Sequence, residues 1–257
     1  MPRRSSAAAP RPALTPDRTP LNKEPVKRHA FGVAVLCLTL AACGGNNGTP
    51  KPATPSVVAE SSIDNLLLTP DELNKTMGTT GMVGRPPNDG MDDNHNLLPN
   101  LNCLGVWQIA ESAIYSKDGK DAKSGQDWTA VRRQTLRVPD TDQWDYLAAQ
   151  SVVYFPTSQS ARDLFNRSAE RWAKCTNHHV NIRLNDKPLP KWLSGDLERT
   201  DTKLAMPITR GTGPETRWCQ HVLQLVSNLI IDVEACTPKA PVTAAADIAT
   251  KIQAGVH

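Results

Sequence analysis

The stretch of sequence that decides the fold is RWCQHVLQLVSNLIIDVEAC, residues 217–236. Its two halves, Arg217–Val226 and Leu229–Cys236, are rich in the valine, isoleucine and leucine of buried strands. Ser227-Asn228 separates them, and two polar residues between two such runs predict a tight turn. The stretch therefore predicts an antiparallel hairpin.

The register of this hairpin places two cysteines opposite each other. In a two-residue hairpin, the residues that flank the turn pair first, and each step outward pairs the next two. Counting outward in this way brings Cys219 directly opposite Cys236. Facing positions on paired strands are close enough for a disulfide. The same register makes His221 and Glu234 an ordinary cross-strand pair.

The first 42 residues are predicted to be an export signal. Lys27-Arg28-His29 is basic, and Ala30–Ala42 is apolar but shorter than the roughly 20 residues of a spanning helix. Leu40-Ala41-Ala42-Cys43 matches a lipobox, in which the thiol of Cys43 receives a diacylglyceryl group and Cys43 becomes the mature N-terminus. Translation from a non-Met codon near Val26, instead of from Met1, would give a more compact leader.

Residues 43–62 are predicted to be a flexible tether because they are rich in Gly, Asn, Thr and Pro, and residues 63–257 suffice for one domain. The leader contains seven of the 29 Lys and Arg residues but only two of the 26 Asp and Glu residues. The mature chain is therefore slightly acidic, and its charge gives no reason to expect a nucleic-acid partner.

Four cysteines remain after export, because Cys37 leaves with the leader and Cys43 is lipidated. An even number of cysteines in an exported domain predicts two disulfides, for which three connectivities are possible. The hairpin register favours Cys219–Cys236, and Cys103–Cys175 follows by elimination.

Two segments contain residue types that bind metal ions. Cys175 lies near His178 and His179, but no second C-x-x-C or H-x-x-x-H accompanies them. Asp92-Asp93-Asn94-His95 lacks the alternating ligands and the terminal Glu of a calcium loop. We therefore predict no metal and no cofactor, and we interpret residues 78–102 as a solvated loop.

The remaining patterns predict further helices and strands. A capping box, Thr69-Pro70-Asp71-Glu72, begins a short helix that ends near Met77. Thr157 or Ser158 caps a helix to about Lys174, with Trp172 on its apolar face. Other predicted elements are strands at Trp128–Val138, Leu147–Phe155, near His179–Leu184 and near Thr202–Ile208, and a helix at Thr243–Ala254. The predicted fold class is α+β, with an antiparallel sheet and helices packed on one side.

Several of these blocks resemble the family of PknH-like extracellular domains, which occur in mycobacterial receptor kinases and in free-standing lipoproteins. The resemblance covers nearly all of residues 60–257. The matching blocks are Leu66–Thr69 with its helix, Cys103, Ser151–Pro156 leading into Ala161–Cys175, Trp218–Asn228 and Ile231–Cys236.

The resemblance implies an antiparallel α+β domain with a cleft and two disulfides, in the same cysteine pairing, that senses or binds an unidentified ligand outside the membrane. Because this sequence has neither a kinase domain nor a transmembrane helix, we expect it to need a partner in order to signal.

We therefore predict an exported, lipid-anchored, ligand-binding or sensor-like lipoprotein on the extracytoplasmic face of the cell membrane. Its expected partners are the membrane, through the lipid on Cys43, and a small molecule, an envelope component or a protein. A G-x-S-x-G elbow, an S-x-x-K with a K-T-G, and an H-E-x-x-H are all absent from the sequence, so we predict no enzyme. A cell-envelope hydrolase and an adaptor or structural lipoprotein are the alternatives. The sequence does not identify ligand-binding residues or an oligomeric state.

Overall fold

The computed structural model describes residues 57–119, 125–184 and 187–257, all within one compact unit. The predicted signal peptide, the lipidated Cys43 and most of the predicted tether lie outside these residues. The packed structure has begun by Val58, whose amide donates a hydrogen bond to Asn228 (2.9 Å). The predicted start of the domain at residue 63 therefore lies inside the packed structure. None of the described helices is long and apolar enough to cross a membrane.

A nine-stranded antiparallel sheet forms the centre of the domain. Its strands are β1 (Val83–Gly84), β2 (Ala130–Val138), β3 (Tyr146–Tyr154), β4 (His179–Val180), β7 (Trp192–Ser194), β8 (Glu198–Arg199), β9 (Lys203–Arg210), β10 (Arg217–Val226) and β11 (Leu229–Thr237). The order is β1-β2-β3-β11-β10-β9-β7-β4, with β8 on β9. Two short strands, β5 (Arg183–Leu184) and β6 (Lys187–Pro188), pair only with each other. The strand predicted at His179–Leu184 is thus divided between the two sheets.

The predicted hairpin lies at the centre of the sheet. Val226 pairs with Leu229, and Cys219 pairs with Cys236 to form a disulfide, as predicted. Because β9 and β3 flank the hairpin, both of its strands are interior and their backbones are hydrogen-bonded on both sides.

Helices cover both faces of the sheet, which corrects the prediction that they pack on one side. Alternate residues of the hairpin enter different cores: Leu223 and Ile230 on one face, Val222 and Val233 on the other. Both helices α2 (Leu101–Trp107) and α3 (Ser158–Lys174) pack on the first face. A 3₁₀ helix (Glu60–Asn65), α1 (Pro70–Met77) and α4 (Ala244–Ala254) pack on the second. The α+β class with an antiparallel sheet is confirmed.

The second disulfide, Cys103–Cys175, joins the two helices of the first face. Cys103 lies within α2, a helix that begins at Leu101 inside the predicted loop 78–102, and Cys175 is the C-cap of α3. Gly105, in the middle of α2, lowers the helix propensity of this segment. A Cβ there would lie 3.3 Å from side-chain carbons of Ile114, so this glycine permits close packing of the segment that follows the helix.

Local sequence signals place the ends of the other helices. In α1, Thr69 accepts a hydrogen bond from the amide of Glu72, and the Glu72 carboxylate accepts one from the amide of Thr69. Thr157 caps α3, and Trp172 is fully buried, as the apolar face of that helix predicts. The predicted positions of these helix ends are correct because a cap depends on residues close in sequence.

Candidate functional site

A cleft of about 420 Å³ opens on the face of the sheet that carries α2 and α3. Its floor is one row of paired residues, Thr135 on β2, Ala149 on β3 and Glu234 on β11, together with Leu147. Its walls are the residues that follow α2, the loop between β2 and β3, and the end of β9. The wall residues used below are Trp107, Trp144, Trp192 and Arg210.

Three tryptophans enclose the cleft from different parts of the chain. Trp107 ends α2, Trp144 lies in the loop before β3, and Trp192 begins β7. They are only 6%, 6% and 8% exposed, so surrounding side chains hold the rings in place. The indole N–H of Trp107 is buried and has no hydrogen-bond partner. Such walls offer apolar aromatic surface to the cleft.

Arg210 lies between two of these rings. Its guanidinium carbon is 4.7 Å from the ring centroid of Trp144 and 5.9 Å from that of Trp192, within the range of cation–π attraction. Burial and the nearby charge of Arg217 lower the pKa of Arg210. The two tryptophans therefore hold a partly desolvated cation at the cleft wall.

The other arginines near the cleft are paired with acids. Arg133 forms a two-point ion pair with Asp92, and Arg137 pairs with Asp140 and Asp142. Arg217 binds Asp145 and donates to the carbonyl oxygen of Trp144, which fixes the loop that carries this tryptophan. These pairs shape the cleft and neutralise most of its charge.

Glu234 is the acid of the cleft floor. Glu234 is only 4% exposed. Burial raises the pKa of Glu234 to about 7, although the charges of His221 and Arg210 act to lower this pKa. Asp232 contributes a further increase. Near neutral pH this carboxyl therefore carries a proton in a large fraction of molecules and can donate a hydrogen bond into the cleft.

Beneath the floor lies a buried polar cluster centred on Asp232. One carboxylate oxygen accepts from Nε2 of His221 (2.6 Å), and the other accepts from the hydroxyl of Tyr115 (2.8 Å) and the amide of Ala110 (2.9 Å). Nδ1 of His221 donates to the carbonyl oxygen of Val106 (2.7 Å). Because a carbonyl can only accept and the carboxylate accepts as well, both ring nitrogens carry hydrogen and His221 is an imidazolium.

The charge state of His221 agrees with its surroundings. Burial alone would lower the pKa of His221, but the charge and hydrogen bond of Asp232 outweigh this and raise the pKa. The cluster also ties the end of α2 and residues 110–115 to β10 and β11. His221 lies opposite Glu234 across the hairpin, as predicted, but its side chain pairs with Asp232, two residues before Glu234 on the same strand.

The loop Asp92–His95 is bound within the protein. Asp92 binds Arg133, Asp93 contacts His95, and the side chain of Asn94 donates to the buried Glu111. Burial raises the pKa of Glu111, although the hydrogen bonds from Asn94 oppose the shift. The loop considered as a calcium site thus forms part of the wall beside the cleft.

Within the described ranges, one group of residues has metal-ligating atoms close together: Cys219, Glu234 and Cys236. The two sulfur atoms are bonded to each other, so they are not thiolate ligands. Cys175, the other cysteine considered for a metal, is bonded to Cys103. The cleft is not lined by His95, His178 or His179.

The four cysteines are joined as the sequence predicts, but the cleft residues were not predicted individually. Trp172 was assigned correctly to the core, whereas Trp144 and Trp192 received no role. Trp144 lies in a polar segment and Trp192 in a Pro-rich one, and a large aromatic residue in such a segment is a signal for a binding surface.

A disulfide-braced antiparallel α+β domain with a deep cleft is the class of protein that the fold defines. The chain belongs to the family of PknH-like extracellular domains, whose model matches residues 58–254. Membership of this family gives the domain an extracytoplasmic location, with which its two disulfides agree.

Two serine/threonine-protein kinases are similar to this chain over most of its length. The chain is 29% identical over 226 residues to serine/threonine-protein kinase PknH of Mycobacterium bovis and to that of Mycobacterium tuberculosis. The match covers 87% of this chain but only 36% and 34% of those kinases, so the chain spans about a third of their length.

A solved structure supports the same assignment. The crystal structure of the extracellular domain of PknH from Mycobacterium tuberculosis superposes with a TM-score of 0.67 at 26% identity. It covers 77% of this chain and 96% of the solved chain. That relative is an isolated extracellular domain, so residues 57–257 form a reasonable unit for experiments on their own.

Proposed function

We propose that this chain is a sensor-like, ligand-binding domain of the cell envelope, and that its cleft holds the ligand. The observation that carries the proposal is the enclosure of the cleft by three nearly buried tryptophans, two of which hold Arg210 between them. Clefts lined mainly by apolar and aromatic side chains, with a few polar groups among them, are characteristic of ligand sites. The volume of about 420 Å³ suits a small molecule or one group of a larger envelope component.

Preorganisation of the walls also supports ligand binding. The Cys103–Cys175 disulfide and the His221–Asp232 cluster both hold α2, at the end of which Trp107 enters the cleft. Arg217 fixes the loop of Trp144 in a similar way. Walls that are already ordered lose little entropy when a ligand binds.

Native mass spectrometry of residues 57–257 after incubation with a mycobacterial envelope extract tests the proposal. We expect a reproducible mass addition that Trp144→Ala reduces, because this substitution removes one wall of the cleft and frees Arg210. Trp218→Ala is the matched control, since Trp218 lies on β10 outside the cleft lining.

The outcomes separate the candidate functions. An addition that is released chemically unchanged supports a binding domain. Turnover of the bound molecule would favour the cell-envelope hydrolase instead. A partner protein from the extract that binds the wild type and Trp144→Ala equally well would point to an adaptor. No mass addition at all contradicts ligand binding in the cleft.

We also propose that Cys43 anchors the domain to the membrane through a diacylglyceryl group, because Leu40-Ala41-Ala42-Cys43 has the lipobox pattern. Two acyl chains suffice for stable anchoring. In a mycobacterial host, we expect the wild type to enter the detergent phase in phase partitioning and Cys43→Ser to remain in the precursor form. Cys37→Ser is the matched control. Equal partitioning of wild type and Cys43→Ser would contradict lipidation at this cysteine.

A further inference from the structure

The cleft contains a cation that no carboxylate of the described residues contacts directly. Across the described parts of the chain, Arg210 forms no salt bridge with a carboxylate and its guanidinium donates no hydrogen bond, whereas Arg133, Arg137 and Arg217 all bind aspartates. Arg210 is partly buried, and an unpaired, partly desolvated guanidinium is costly. An anion that entered the cleft would supply the missing partner.

The acids nearest to Arg210 do not meet this need. Glu234 attracts Arg210 electrostatically, but the pair makes no contact within 4.0 Å, and burial keeps much of the Glu234 population protonated near neutral pH. Glu215 and Asp142 also attract Arg210 electrostatically, but neither forms a salt bridge with it: Glu215 is exposed, and Asp142 is bound to Arg137 at the rim. The interior of the cleft therefore holds a guanidinium that no carboxylate within the described ranges binds and an acid that can donate a hydrogen bond.

The apolar part of the cleft indicates the shape of the molecule. The exposed parts of Trp107, Trp144 and Trp192 line the cleft with aromatic surface, and Leu147 and Ala149 complete the floor. Flat rings pack on such a surface with more contact than branched or strongly hydrated groups do. A guanidinium group is planar, and it can donate two parallel hydrogen bonds to two oxygens of a carboxylate, phosphate or sulfonate group.

From this geometry we propose that the cleft binds an organic anion, with a flat apolar body against the tryptophans and an acidic group on Arg210. The inference rests on the proposed function, since it assigns a chemical class to the ligand of the same cleft. The hydroxyl of protonated Glu234 then donates to a further oxygen of that ligand.

Two fluorescent probes of matched shape test the charge directly. 8-Anilino-1-naphthalenesulfonate and N-phenyl-1-naphthylamine share the same rings, but only the first carries an anionic sulfonate. We expect the domain to bind the sulfonate at least about tenfold more tightly, since charge-assisted hydrogen bonds contribute more than neutral ones. Arg210→Met should abolish this preference. Arg199→Met, an exposed site on β8, is the matched control.

The results distinguish this inference from the proposed function. Equal binding of the two probes to the wild type overturns the anion inference alone. Binding of neither probe overturns both. An unchanged preference in Arg210→Met also overturns the inference, because the sulfonate would then be held elsewhere.

A pH titration of wild type and Glu234→Gln supplies a second measurement if Arg210→Met does not fold. The groups that face Glu234 are His221, Asp232 and Arg210. Deprotonation of Glu234 adds a negative charge as the pH rises through about 7. We therefore expect sulfonate affinity to fall about threefold or more from pH 6 to pH 8 in the wild type, and to stay level in Glu234→Gln. Neutral-probe affinity should not change, and a wild-type sulfonate affinity that is independent of pH contradicts the inference.

Discussion

Replacing Asp232 with alanine is expected to lower the free energy of unfolding by about 3–5 kcal/mol, because it removes one partner of a buried ion pair. The side chain accepts hydrogen bonds from His221, Tyr115 and Ala110, and all of these groups lie in the core. Without the carboxylate, three buried donors lose their acceptor, and the His221 imidazolium loses the charge that stabilises it.

Asp232→Asn should be less harmful than Asp232→Ala. The amide oxygen of asparagine can still accept from Tyr115 and Ala110, and its N–H can donate to a neutral His221 that keeps its bond to Val106. Urea unfolding at pH 7 measures the difference, with exposed Asp89→Ala as the control. Equal stability of Asp232→Ala and the wild type would contradict the role of this cluster.

The second large effect concerns the Cys103–Cys175 disulfide. It closes a loop of 72 residues, whereas Cys219–Cys236 closes one of 17. On the loop-entropy model, the longer link contributes about 4 kcal/mol and the shorter about 3 kcal/mol. The paired variant Cys103→Ala/Cys175→Ala should therefore lose more stability than Cys219→Ala/Cys236→Ala.

The longer link also has a functional consequence. Loss of Cys103–Cys175 frees α2 from α3, so Trp107 at the end of α2 should become more mobile. We expect ligand affinity to fall in this double variant under conditions where it remains folded. Urea unfolding of both double variants tests the order of stability, and a larger loss for Cys219→Ala/Cys236→Ala would contradict it.

Local sequence signals predicted the parts of the fold that depend on neighbours in sequence. The turn at Ser227-Asn228 determines the register of the hairpin, and with it the cysteine pairing. The caps at Thr69 and Thr157 likewise placed two helix ends. In each case the interacting residues are a few positions apart or are joined by a tight turn, so a short pattern suffices.

The two-sided burial of the sheet was missed, although the hairpin contains a signal for it. Leu223 and Leu225 alternate with Val222 and Val226, and apolar residues on both faces indicate a strand that is covered on both sides. The prediction of helices on one side took account of the apolar residues on one face of the hairpin only. Helix α2 was missed because Gly105 and Asn102 are weak helix formers, and its packing against Ile114 and α3 stabilises it.

The cleft itself could not be predicted from single segments. Its tryptophans come from three elements that sequence order separates by tens of residues, and Glu234 reaches the floor only because β11 pairs with β3. The pairing of β11 with β3 depends on long-range packing, which no local pattern specifies. The same holds for His221 and Asp232, whose contact with Val106 and Tyr115 crosses from the hairpin to the α2 region.

The chain's six tryptophans allow a direct test of the claim that the cleft is a ligand site. Indole N–H resonances of residues 57–257 can be followed by NMR while 8-anilino-1-naphthalenesulfonate is added. We predict that the resonances of Trp107, Trp144 and Trp192 shift, while those of Trp128, Trp172 and Trp218 stay in place. Shifts confined to the second group, or no shift at saturating probe, would contradict a ligand site in this cleft.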